Sequence, residues 1–127
     1  MSTSWRRASR YLAGALVVML ALASSLHIVS AANSVVSFYF FYSTECDHCT
    51  TIQGEVLAPL LAQYGDQIDI HYREIADPAV FKQLVALEKE YDVPAEEAAI
   101  PTVFLDQHAL VGEQITASLA HLVGQYL

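Results

Sequence analysis

The sequence predicts an α/β domain of order β-α-β-α-β-β-α, a mixed central sheet flanked by helices, behind an apolar N-terminal leader. Three observations predict it. Residues 35–42 read VVSFYFFY, an apolar, β-forming run suited to a strand buried on both faces. A second strand-like stretch follows a stretch of helical periodicity, as in a parallel crossover. Near the end, a turn at residues 106–108 separates two short strands, which must then run antiparallel.

The leader occupies residues 1–32, and the domain residues 33–127. Arg6, Arg7 and Arg10 form a basic start. Residues 11–32 hold no Asp, Glu, Lys or Arg, and they end in the small residues Ser30, Ala31 and Ala32. That order matches a secretory signal peptide. A retained membrane anchor is the competing reading, since roughly 20 apolar residues cross a bilayer, although Ser24, Ser25 and His27 weaken it as a membrane helix. Both readings send the rest of the chain outward, because the arginines stay inside. The expected location is therefore extracytoplasmic or periplasmic, secreted or anchored.

Hydrophobic residues make up 54% of the 127 and charged ones 16%, which excludes a disordered chain. All fourteen acids lie at Glu45 or later, where only Arg73, Lys82 and Lys89 oppose them. The exported part thus carries a formal charge near −11 with histidines neutral. Nucleic acid is an unsuitable partner for such a surface, and so is anionic lipid.

Each element follows from local pattern. After the strand at 35–42, residues 43–48 are polar and turn-like. A helix then runs to Tyr64, with Ile52, Val56, Leu60 and Tyr64 at spacing four. Pro59 should kink it, and Gly65 should end it. Residues 67–75 form a half-buried strand with Ile68, Ile70 and Tyr72 facing inward and Asp69, His71 and Arg73 outward. Asp77 caps the next helix, with Pro78 in its first turn. Its apolar face is read as Phe81, Leu84, Val85, Glu88 and Tyr91. Residues 92–99 form a loop, 102–105 a strand, and 109–111 its hairpin partner. The last helix places Ile115, Leu119, Leu122, Val123 and Tyr126 on one stripe.

The chemistry-bearing motif is Cys46-Asp47-His48-Cys49, which holds both cysteines of the chain. A bridge between them closes a tiny loop and constrains little of the unfolded chain, so its purpose is chemistry rather than stability. The motif follows a buried strand and opens a helix. Free N–H groups and the helix dipole there favour an anion, so Cys46 is expected as a nucleophilic thiolate. Cys49, one turn later and deeper, would resolve the mixed disulfide.

FYSTECDHC, the mid-helix Pro59 and Ile100-Pro101-Thr102 together resemble the thioredoxin superfamily, over about residues 35–127. The resemblance implies a thioredoxin-like fold, thiol–disulfide oxidoreductase activity without a cofactor, and a cis Pro101 beside the cysteine pair. It also implies that Ile100 and Pro101 meet the substrate chain. Two departures stand out. Glu45 occupies the place of a tryptophan, and Phe40 the place of a buried carboxylate that would take a proton from Cys49. His48 matches the histidine of oxidising members; an imidazolium there stabilises the thiolate and makes the disulfide more oxidising. Glu45 and Asp47 act oppositely, by repelling the thiolate. These three residues are the expected tuning set.

Glu96 and Glu97 precede Pro101 in a solvated loop, and His71, His108 and His121 read as surface residues. Two other functions fit part of the pattern. Cys46, Cys49 and a histidine suit Cu(I) or Zn, although a closed zinc site needs four ligands. A redox-silent interaction module would have no use for both cysteines. The expected partners are protein thiols and disulfides. A membrane redox enzyme should renew the pair, of the vitamin K epoxide reductase-like, DsbB-like or cytochrome c maturation type.

Overall fold

The computed structural model describes residues 34–127; the leader reading of residues 1–32 lies outside them. Four strands form one sheet of order β2-β1-β3-β4. They are β1 (Val36–Tyr42), β2 (Ile68–Glu74), β3 (Thr102–Leu105) and β4 (His108–Val111). β1 pairs with β2 in parallel, from Val36 opposite Ile68 to Tyr42 opposite Glu74. It pairs with β3 antiparallel, Phe41 opposite Thr102, and β3 continues antiparallel into β4. The element order and the mixed sheet agree with the sequence expectation. β1 is interior because nearly every residue is apolar: Phe38, Phe40 and Phe41 are all buried.

A parallel pair needs a crossover, and here it is a helical stretch in three parts. α1 (Asp47–Ile52) leads into a π turn at Gln53–Leu57, and α2 (Ala58–Tyr64) follows. The expected kink at Pro59 is thus a π turn placed just before it. Proline has no N–H to bond back into the preceding turn, so the helix widens and restarts. Pro59 then stands in the first turn of α2, where a missing donor costs little. Gly65 closes the stretch at φ +54°, and its N–H bonds to the Leu61 carbonyl.

α3 (Pro78–Glu90) starts at Asp77, whose carboxylate accepts the Ala79 N–H at 2.8 Å. α4 (Glu113–Tyr126) ends the chain. The two sheet faces are unequally covered. On one, Ile52, Leu57 and Leu60 of the crossover and Ile115, Leu119, Leu122 and Val123 of α4 pack on Val36, Phe38, Phe40 and Val103. On the other, α3 buries Leu84 against Phe41 and Phe104, flanked by half-buried Val80, Leu87 and Tyr91.

The inward face of α3 therefore differs from the sequence expectation. Val80, Leu84, Leu87 and Tyr91 turn inward, whereas Phe81 and Val85 are 51% and 48% exposed. The helix is apolar over more than one stripe, and packing against Phe41 and Phe104 selects which stripe is used. β4 also begins one residue earlier than expected, because Leu105 and His108 pair directly across a two-residue turn. That turn holds Asp106 at φ +50°, a conformation aspartate tolerates.

Candidate functional site

The site lies where β1 ends and α1 begins. Tyr42 closes β1, and Ser43 turns the chain: its carbonyl accepts the Cys46 N–H at 3.2 Å, and its hydroxyl accepts the Glu45 N–H at 3.2 Å. This holds Cys46 as the N-cap of α1, with extended backbone at φ −101° and ψ 106°. Its Sγ accepts the Cys49 N–H at 3.1 Å, so a first-turn donor of the helix points at the sulfur. Cys46 and Cys49 form a disulfide, with Cα atoms 5.2 Å apart. Cys49 is wholly buried, whereas Cys46 is half-buried.

The neighbours divide. Glu45 and Asp47 are exposed, and the Asp47 carbonyl is occupied by the Thr51 hydroxyl at 3.1 Å. His48 instead turns toward the other end of the chain. Its Nε2 lies 3.3 Å from Glu113 Oε1, at the first residue of α4. Glu113 has no motif to announce it. The proximity comes from the fold alone, because β4 delivers α4 to the same end of the sheet as α1.

The Ile100–Pro101 segment reaches that end too. Its peptide bond is cis. Phe41 faces Thr102 across the sheet, so Pro101 lies level with the last residues of β1. Pro101 is buried and Ile100 half-buried, and the Pro101 carbonyl accepts the Gly112 N–H at 2.9 Å. Thr102, fully buried, donates its hydroxyl to the Ala99 carbonyl. Gly112 sits at φ +55°, and a Cβ there would stand 3.9 Å from the His48 ring. One linked set results: the cysteine pair, His48, Gly112, Glu113 and Pro101. Glu96 and Glu97 remain outside it, exposed in the loop between α3 and β3. His71 is engaged elsewhere, with Ser37 Oγ at 2.8 Å and Asp69 at 3.3 Å.

The place of the missing carboxylate is filled by carbon. Phe40 is fully buried, stacks on Tyr42 at 5.6 Å and meets Tyr72 edge-on at 5.9 Å. Burial, and secondarily Tyr42, raises the Tyr72 pKa above the usual phenol range. Glu74 follows on the same face, paired in register with Tyr42. One of its carboxylate oxygens accepts the Ala76 N–H at 3.1 Å; the other is enclosed without a partner among the described residues. Among the described residues, no group of three His, Cys, Asp or Glu side chains is arranged to hold a metal. Nor is any described helix long and apolar enough to cross a membrane.

No protein-family model matches the chain, and no curated protein does. Among solved structures it is similar to thioredoxin O1 from Arabidopsis thaliana in the oxidized state. The two share 23% identity over 74% of this chain and 80% of that one, with a TM-score of 0.56. A four-stranded mixed sheet of this order, helices on both faces and a cysteine pair opening the first helix make this a thioredoxin-fold domain.

Proposed function

We propose that the chain is an extracytoplasmic thiol–disulfide oxidoreductase, exchanging disulfides with protein substrates through Cys46 and Cys49. The observation that carries this is a disulfide of unequal exposure on a thioredoxin fold. The half-buried sulfur is the one a substrate meets, and the buried sulfur is the one that completes the exchange. In the reducing direction, the Cys46 thiolate attacks one sulfur of a substrate disulfide. The substrate S–S bond breaks, a mixed disulfide forms, and the released thiolate takes a proton. Cys49 then loses its proton and attacks Cys46 Sγ. The mixed disulfide breaks, the second substrate thiolate leaves, and two electrons have passed to the substrate. Oxidation of a substrate dithiol is the same sequence reversed.

Ile100 and Pro101 form the proposed docking edge for the substrate backbone, supported by their level with the end of β1. The extracytoplasmic setting rests on the basic-then-apolar order of residues 1–32. An exported pair spends its electrons or its disulfide on each turnover. A membrane redox enzyme of the vitamin K epoxide reductase-like, DsbB-like or cytochrome c maturation type would renew it.

Trapping tests the assignment. The Cys49→Ala chain should accumulate mixed disulfides through Cys46, visible as adducts that vanish on reducing electrophoresis. Adducts from Cys46→Ala but not from Cys49→Ala would reverse the two roles. A chain that neither reduces insulin nor oxidises a reduced test protein is not this enzyme.

A further inference from the structure

The cysteine motif is contiguous in sequence, but one member of its surroundings arrives from the far end of the chain. Glu113 stands at the start of α4 with its carboxylate 3.3 Å from His48 Nε2. Its side chain is 86% exposed, so no packing demand explains its direction. The position is held by backbone. Gly112 bonds to the Pro101 carbonyl at 2.9 Å and leaves the space beside the His48 ring open. The Ile115 N–H bonds to the Gly112 carbonyl at 3.0 Å, fixing the first turn of α4.

We infer that Glu113 is a positioning residue for the cysteine pair, acting through His48. A carboxylate at Nε2 directs that nitrogen's proton to itself and fixes the ring's orientation. A ring so held, in its protonated form, favours the Cys46 thiolate. The acids nearest in sequence, Glu45 and Asp47, are exposed and share this end of the molecule. They repel a thiolate directly. Glu113 carries the same charge, so its own field also repels; its effect through His48 has the opposite sign. The pair is exposed and therefore weak, worth a few-fold in rate rather than orders of magnitude. The inference rests on the thiol-exchange reading above.

The opposed signs give the test. The full chain is reduced, freed of reductant, and its Cys46 alkylated with iodoacetamide at pH 6, where an ordinary imidazole is partly protonated. Glu113→Gln is made with His48 present and again beside His48→Asn. With His48, the substitution should slow alkylation about two- to threefold. Without His48, only the repulsive charge is removed, and alkylation should not slow. Glu113→Asp should keep most of the wild-type rate. The inference stands if the Glu113→Gln ratio is at least twofold lower with His48 than without it. Any smaller difference between the two ratios overturns it, whichever way each rate moves. Insulin turnover by the unmodified chain is measured alongside. Absence of turnover counts against the thiol-exchange reading, whereas equal ratios in a chain that turns over count against Glu113 alone.

Discussion

The two sheet faces were built to different standards. The face under α1, α2 and α4 is sealed: Ile52, Leu57, Ile115, Leu119 and Val123 are all essentially inaccessible. The face under α3 is sealed at Leu84, Phe41 and Phe104 and only half-covered around them. Every element of the candidate site sits on α1, on α4 or at the strand ends between them. α3 supplies none. In the proposed function, a cysteine pair that meets an incoming disulfide gains from the closely packed face. A helix that supplies no site residue can tolerate the looser one.

The largest effect belongs to chemistry alone. Cys46→Ser should abolish insulin reduction while leaving the fold intact, because a loop closed over three residues contributes little chain-entropy stabilisation. Activity surviving in that variant would detach function from the α1 end altogether.

Stability should then separate the faces. Leu119→Ala, in the sealed layer, is expected to cost about 4 kcal/mol, near the upper part of the range for buried leucines. Leu84→Ala should cost about 2–3 kcal/mol, since half-exposed Val80 and Leu87 can settle into the gap. Urea denaturation measures both. Equal losses would mean that the two faces are packed alike, whatever their exposure.

This inequality also explains what could be read in advance. β1 was legible because VSFYFFY has only one plausible environment, and the Cys46–Cys49 pair because spacing and chain context coincide. Asp77 announced α3 by its chemistry as a cap. The inward face of α3 was not legible. Val80, Phe81, Leu84, Val85, Leu87 and Tyr91 cover more than one stripe, and the choice between Phe81 with Val85 and Val80 with Leu87 is made by Phe41 and Phe104 across the sheet. Glu113 was hidden for a related reason: sequence shows a helix start, and only β4 pairing with β3 brings that start to His48.

At the corner where the layers meet, Asp106 binds both. Its carbonyl accepts the Tyr91 hydroxyl at 2.6 Å from just beyond α3, and its carboxylate accepts the Tyr126 hydroxyl at 2.7 Å from the end of α4. The hydrogen bond to Asp106, then burial and the carboxylate's charge, raise the Tyr126 pKa. For Tyr91, burial leads, followed by Glu90 and Asp106. A folded pKa above the unfolded one means stability that is fully present below the ordinary phenol range and lost as pH rises through the folded value. Thermal midpoints should therefore fall above about pH 10. Tyr126→Phe should lower the neutral midpoint slightly and flatten that alkaline fall. An unchanged alkaline limb would show that the corner ties nothing.

The smallest effect probes the loose face directly. Glu88 lies on α3, half-buried, and burial raises its carboxyl pKa above the usual carboxylate range. The sign follows from linkage. The protonated form is the one the folded state favours, so this group's contribution is fully present below the ordinary glutamate range and disappears as pH rises through the raised folded value. At neutral pH the ionised carboxylate is a net cost to folding. The side chain is only half-buried, so the cost is small, a few tenths of a kcal/mol after screening. Glu88→Gln keeps the shape and removes the charge. It should stabilise the chain by about that amount at pH 7 and leave it unimproved below pH 4, where glutamate is already neutral. Urea midpoints at the two pH values decide it. The equivalent gain at both would assign the effect to helix propensity. A loss at pH 7 would show that Glu88 serves α3 as an ion, and that this face is held by charge where the other is held by packing.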